Sequence, residues 1–220
     1  MKRLGILLSG RGSNFLAIQR AIADGRIPNA EIAGVLSNKA DAAGIEAAVV
    51  LGLDARVMVQ QGKGPDARAE HDLKMIAALR EWNVDLVCLA GYMRIISPAF
   101  VEAFRDRILN VHPSLLPSFP GLEAQRQALE FGAKVAGCTV HFVDEQVDHG
   151  AIVLQRAVPV LEDDTEETLA QRILAEEYLA YPEAIVLALS GDYKIDGRRF
   201  VRSQAPALRL SGVAPIYRRS

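Results

Sequence analysis

Two hundred and twenty residues, 50% hydrophobic and 24% charged, suffice for a self-supporting core and are too apolar for a disordered chain. A formal net charge of -2 gives no electrostatic footprint for duplex nucleic acid, and two cysteines, Cys88 and Cys138, each inside an apolar run, exclude a disulfide framework or a cysteine-rich zinc site. No apolar run reaches the about 18 residues that span a bilayer, and the short run after Met1-Lys2-Arg3 leads into Ser9-Gly10-Arg11-Gly12 instead of a cleavage site. A reduced, cytoplasmic protein with no nucleic-acid or membrane partner is expected.

Leu4–Leu8 reads as a strand. Phe15–Ala23 follows with helical spacing, placing Phe15, Ile18, Ala21 and Ile22 on one face. Glu31–Leu36 is a second strand, Ala40–Leu51 a second helix and Arg56–Val59 a weaker strand. Ala67–Trp82 is predicted as an amphipathic helix with Leu73, Ile76, Ala77 and Leu79 inward. Leu86–Leu89 is a strand, Pro98–Phe104 a helix opened by proline, and Ile108–Val111 a strand. This alternation, with apolar strands that do not alternate, predicts an α/β fold with a mostly parallel central sheet and helices on both faces.

After Pro120 the rhythm changes. Leu122–Phe131 is a helix closed by Gly132, and Ala136–Val143 with Ile152–Val160 reads as an antiparallel pair. Thr165–Leu189 is a long helix with Thr165 as N-cap, and Tyr193–Val201 a hairpin centred on Asp196-Gly197. The expected organisation is one domain over 1–202 and a loose tail over 203–220.

Three segments carry chemical potential. Ser9-Gly10-Arg11-Gly12-Ser13-Asn14 lies between a strand and a helix, where free N–H groups hold anions. It lacks the Gly-Lys-Ser/Thr of a nucleotide loop and, with Phe15, the third glycine of a dinucleotide fingerprint. It reads either as a monophosphate cradle or as a turn capped by Ser13 or Asn14. Asn110-Val111-His112-Pro113 ends a strand at the sheet edge where α/β ligands bind, with Asn110 and His112 on one side. An amide beside an imidazole can hold an oxyanion and supply a proton, although a structural histidine fits the same spacing. His141 to Gly150 holds two histidines and three acids, a pattern of either a solvated turn or a ligand set; nothing fixes convergence, so no metal is assigned. The loop Ala90–Ile96 is apolar enough to line a flat heterocycle pocket or simply to pack. Cys88 reads as core, and Glu176-Glu177 as a solvated face unless other residues give it weight.

Taken in order, Ser-Gly-Arg-Gly-Ser-Asn at 9–14, Ser37-Asn38-Lys39-Ala40, Ala90-Gly91-Tyr92-Met93-Arg94-Ile95, Asn110-Val111-His112-Pro113-Ser114-Leu115-Leu116-Pro117 and His141-Phe142-Val143-Asp144 through Asp148 resemble the folate-dependent formyltransferases, within them the phosphoribosylglycinamide formyltransferase family. The resemblance runs from about residue 3 to about 190. It implies a Rossmann-like fold and transfer of the formyl group of 10-formyltetrahydrofolate, a co-substrate, to the amine of phosphoribosylglycinamide, in purine biosynthesis. It further implies a catalytic trio of Asn110, His112 and Asp148. Phosphoribosylglycinamide would be bound by Gly12, Ser13, Asn14 and Glu177, and the folate by Arg68, Met93, Arg94, Ile95, Ile96 and Asn110. Asp148 would favour the imidazolium form of His112. Both partners are small molecules, no metal is required, and the chain would be a monomer or a homodimer. Gln146, His149 and Ala151 depart from the family around Asp148, and Tyr178 stands where relatives often carry His.

The rivals differ in what they lack or add. A formyltetrahydrofolate hydrolase shares the Asn-x-His-Pro core but is expected to carry an N-terminal regulatory domain and no phosphate loop. A methionyl-tRNA formyltransferase adds a C-terminal domain and positive charge. A non-catalytic phosphosugar-binding module has no use for Asn110, His112 and Asp148 together. A nicotinamide dehydrogenase needs an acid where Asn38-Lys39 stands.

Overall fold

The computed structural model describes residues 1–203. In chain order these form β1 (Lys2–Leu8), α1 (Ser13–Ala23), β2 (Ala30–Ser37), α2 (Ala43–Val50), β3 (Ala55–Val57), α3 (Pro65–Glu81), β4 (Leu86–Leu89) and α4 (Pro98–Ala103). Then follow β5 (Ile108–His112), α5 (Ala124–Phe131), β6 (Val135–Phe142), β7 (Ile152–Pro159), α6 (Glu166–Ser190), β8 (Tyr193–Asp196) and β9 (Arg199–Arg202).

The strands make one nine-stranded sheet in the order β3-β2-β1-β4-β5-β6-β7-β9-β8. Strands β1 to β5 are mutually parallel, and β6 and β7 add antiparallel to β5. The uninterrupted apolar runs are explained by burial on both faces: Leu4, Ile6 and Leu8 face one cluster, built with α1, α2, α5 and α6, while Leu7 faces another, built with α3 and α4. Chain order reverses between β1 and β4, which opens a crevice at their carboxyl ends.

The α/β expectation and the antiparallel pair hold. Several details differ. In α3 the inward residues are His71, Asp72, Met75, Ile76, Ala78 and Leu79, while Leu73 and Ala77 face solvent. Apolar spacing pointed to Leu73 because it could not foresee a buried histidine and aspartate on the inner face. The second helix starts at Ala43 and the fifth at Ala124, later than the apolar patterns suggested. The last hairpin turns on Gly197 and Arg198, with Gly197 at φ 61; Asp196 still belongs to the ladder, opposite Arg199. That hairpin extends the sheet through an Ile152–Arg199 pairing and is stapled by Phe142, Tyr193 and Phe200, with ring centroids 4.6–6.1 Å apart. Thr165 caps α6 as expected, and Thr168 completes a reciprocal capping pair. The tail expected at 203–220 lies, beyond Ser203, outside the described residues.

Candidate active site

At the crevice, β1 ends in the 9–14 loop. Gly12 adopts φ 74, and a Cβ there would sit 2.8 Å from the Gly44 Cα, so glycine is required on two grounds. Gly12 itself is the N-cap of α1, and no side chain caps the helix. This corrects the capped-turn alternative: Ser13 is already helical, and Asn14 is buried and turned away from the helix end. The first-turn N–H groups of α1 are left for an anion at the positive end of the helix.

Asn14 Nδ2 donates to Glu177 Oε2 at 2.7 Å, across 163 residues of sequence. Glu177 therefore does not belong to a solvated face; α6 packs on α1 and delivers it to the loop. Burial raises the Glu177 carboxyl above its ordinary value, partly offset by the Asn14 amide. Asn14 Oδ1 is buried with no hydrogen-bond partner among the described residues. An orphaned acceptor next to a carboxylate suits a ligand that donates N–H groups.

Next in the sheet, β5 carries Asn110 and His112. His112 is buried, with Nδ1 3.4 Å from Asp148 Oδ2 and Nε2 donating to the Phe119 carbonyl at 2.9 Å. Asp148 also accepts the Gly121 N–H at 2.7 Å. It holds a left-handed backbone, φ 51, in the β6–β7 connection, which turns the carboxylate back over the strand ends. The 113–121 segment is fixed from behind. Thr139, opposite His112 in the β5–β6 register, donates to the Ser114 carbonyl at 2.6 Å and accepts the Leu116 N–H at 3.0 Å.

His141 joins this group. It lies opposite Asn110 in the β5–β6 register, almost wholly buried. Its Nδ1 donates to the Phe142 carbonyl at 2.7 Å, and its Nε2 accepts from Asn110 Nδ2 at 3.2 Å and lies 3.8 Å from Asp148 Oδ1. Burial lowers its pKa, which favours the neutral ring that this pattern requires.

The loop after β4 completes the rim. Its Gly91 carbonyl accepts from Ser9 N–H at 3.0 Å, and Met93 N–H donates to Ser9 Oγ at 2.8 Å, so the two strand ends are tied together. Met93 and Ile95 are exposed apolar side chains, and Ile96 is half-buried. The Arg94 guanidinium turns inward to protein partners. Arg68, in the first turn of α3, is half-buried and makes no side-chain hydrogen bond to the described residues.

The profile of the family described as formyl transferase matches residues 2–185, spanning every element of this site. The chain belongs to the formyl transferase family. The trifunctional purine biosynthetic protein adenosine-3 of Drosophila pseudoobscura pseudoobscura is 49% identical over 191 residues, which are 86% of this chain and 14% of that protein. The phosphoribosylglycinamide formyltransferase of Escherichia coli (strain K12) is 40% identical over 201 residues, covering 88% of this chain and 93% of that one. The crystal structure of glycinamide ribonucleotide transformylase 1 from Symbiobacterium toebii has a TM-score of 0.86 at 54% identity, covering 92% of this chain and 94% of that chain. The chain thus spans a small part of the trifunctional relative and nearly all of the single-activity ones.

Within this formyl transferase, Asn110, His112 and Asp148 converge, and Asn14, at the end of the 9–14 loop, meets Glu177. His141 is the residue that sequence reasoning placed in a polar turn and left without a role. Its signal was present in the alternation of 136–143, but its partner on β5 becomes visible only through strand register. His149 is drawn aside, its Nδ1 2.7 Å from Asp144 Oδ2, and Ala151 is core. Both cysteines are buried, and burial pushes each thiol up to about 12. Among the described residues no helix is long and apolar enough to cross a membrane.

Proposed function

We propose that this formyl transferase acts in the cytoplasm on small molecules, moving the formyl group of 10-formyltetrahydrofolate to the amine of phosphoribosylglycinamide. The observation that carries the reading is the convergence of Asn110, His112 and Asp148 at the carboxyl edge of the sheet, beside an uncapped helix start that faces the Asn14–Glu177 pair.

The donor set fits both substrates. The N–H groups at the start of α1 suit a phosphate. The Asn14 side chain is taken up by Glu177, so its contact to a phosphate would come from the backbone, while its orphaned Oδ1 and the Glu177 carboxylate suit the N–H donors of a glycinamide. Met93, Ile95 and Ile96, with backbone groups of 91–97, offer an apolar wall with polar edges for a flat heterocycle. Arg94 would contribute through its backbone, and Arg68, which has no side-chain hydrogen bond among the described residues, is available to a carboxylate tail.

The chemistry assigned to these residues is acyl transfer. The attacking amine forms a new C–N bond at the formyl carbon, and the carbonyl oxygen gains negative charge. Asn110, through the amide N–H that His141 does not take, and the Nε2–H of His112, exchanged from the Phe119 carbonyl, hold that charge as donors. The amine must then lose a proton and the departing nitrogen must gain one. In this proposal Asp148, which lies between His112 and His141, accepts the first, and His112 returns one to the leaving group. His141 fixes the Asn110 amide without carrying charge.

The decisive experiment is a formyl-transfer assay with and without phosphoribosylglycinamide. Turnover of 10-formyltetrahydrofolate only when the ribonucleotide is present is the expected result. Turnover without it would instead indicate a hydrolase.

A further inference from the structure

The inner face of α3 carries two polar residues that core packing does not explain, His71 and Asp72, both almost fully buried. Burying them is costly unless every polar atom is used. They are used on the loop after β4. Asp72 Oδ2 accepts the Ser97 N–H at 2.6 Å, at the end of that loop. His71 Nε2 lies 2.6 Å from the Met58 carbonyl and its Nδ1 lies 2.5 Å from the Arg94 guanidinium. A carbonyl only accepts, so Nε2 carries a proton; Nδ1 faces the donating Arg94 guanidinium and, at 3.2 Å, Asp72 Oδ1, so ring, guanidinium and carboxylate form one cluster.

Arg94 is anchored from further sides. It donates to the Tyr92 hydroxyl at 3.2 Å and to the side-chain amide oxygen Oε1 of Gln60, and lies 3.9 Å from Asp72 Oδ1. Burial pushes the Tyr92 hydroxyl up to about 12, so it stays protonated, accepting from Arg94 while donating to Met75 Sδ at 3.4 Å. The loop is thus pinned at Met93 on Ser9, at Arg94 on His71, and at Ser97 on Asp72. Between the pins stand Met93 and Ile95, the exposed apolar side chains of the rim.

We infer that His71 is a positioning residue for the folate subsite: through Arg94, and together with Asp72, it holds 91–97 in the shape that receives a flat heterocycle. The inference rests on the folate reading of the site. It is separate from the chemical step, because His71 approaches the rim only through Arg94.

The test measures tetrahydrofolate binding by calorimetry, formyl-transfer kinetics and thermal unfolding in wild type, His71→Phe and His71→Asn. His71→Phe keeps a planar ring and removes the acceptor; His71→Asn keeps an acceptor near the Nδ1 position. His71→Phe should weaken tetrahydrofolate and raise the KM for the formyl donor by about tenfold, with kcat and the phosphoribosylglycinamide KM changed less than about twofold. His71→Asn should stay within about threefold of wild type. Should His71→Phe be unfolded at the assay temperature, His71→Met fills the same space and carries the same expectation.

Unchanged folate affinity in the folded variant, or a parallel fall of kcat and both affinities, would overturn the inference. So would absence of tetrahydrofolate binding by the wild type. If the wild type binds tetrahydrofolate but transfers no formyl group, the proposed activity fails while the effect of His71→Phe on binding still supports the positioning role.

Discussion

In the proposed mechanism His112 and Asp148 divide one task between two side chains, an acid–base group and the carboxylate that faces it at 3.4 Å. Truncating His112 to Ala should lower kcat by about 100- to 10,000-fold, the usual weight of a positioned acid–base group. Asp148→Ala should act in the same direction. Both variants should retain near-native far-UV circular dichroism, since neither side chain belongs to the apolar core; near-wild-type turnover in either would remove its assigned role. Glu177 yields a prediction of the opposite kind. Its folded-state carboxyl is raised by burial, so the fold binds its proton more tightly than the unfolded chain does. The stabilisation is present below the ordinary glutamate value of 4.5 and is lost as pH rises through the raised folded value. Glu177→Gln keeps an acceptor for Asn14 and never ionises. Its Tm should exceed that of wild type at pH 8, and the gap should close below about pH 4. The same variant should weaken phosphoribosylglycinamide binding, since a charge that disfavours the fold is retained in a site built to use it.

Among the elements, the start of α1 is, in the proposed reading, a helix left open for a ligand. Side chains cap α6 and α4, at Thr165 and Ser97, whereas α1, α2, α3 and α5 start without one. At α1 glycine takes that place, at a backbone angle that favours it and a spacing to Gly44 that excludes a methyl group. Gly12→Ala should therefore raise the phosphoribosylglycinamide KM at least about tenfold, with a loss of stability of about 1 kcal/mol or more. Steady-state kinetics at varied ribonucleotide, with the folate saturating, would check this; an unchanged KM would return the loop to a purely structural turn. The β5–β6 pairing is the second instructive element. Its register sets Asn110 against His141 and His112 against Thr139, so the neighbouring strand holds the Asn110 amide through His141 and the backbone after His112 through Thr139.

At the scale of the whole molecule, α6 unites the sheet with the site. Tyr181 reaches the carbonyls of Leu89, the last residue of β4, and Leu109, the second of β5, at 3.1 and 2.9 Å; these strands lead into the proposed folate rim and the proposed catalytic pair. One turn earlier on the same helix, Glu177 meets α1. Tyr181→Phe should cost about 1 kcal/mol in denaturant unfolding, the usual net worth of a buried hydrogen bond. It should also raise both substrate KM values together, because it loosens the frame shared by the two subsites; an effect on one KM alone would contradict that view.

Fold class and strand order of appearance are legible without coordinates, because apolar periodicity reports burial, and a short motif such as Asn-x-His-Pro marks where a strand ends. Inward faces were less legible. A helix such as α3, whose buried stripe includes His71 and Asp72, breaks the apolar pattern that identifies a face, so Leu73 and Ala77 were assigned inward in their stead. Pairings between distant segments were not legible at all. Asn14 with Glu177, Asn110 with His141, and Arg94 with His71 depend on helix packing and strand register, quantities that no local window contains. Local sequence determines which residues can do chemistry and which elements carry them; the packing of α6 on α1 and the β5–β6 register decide which of those residues meet.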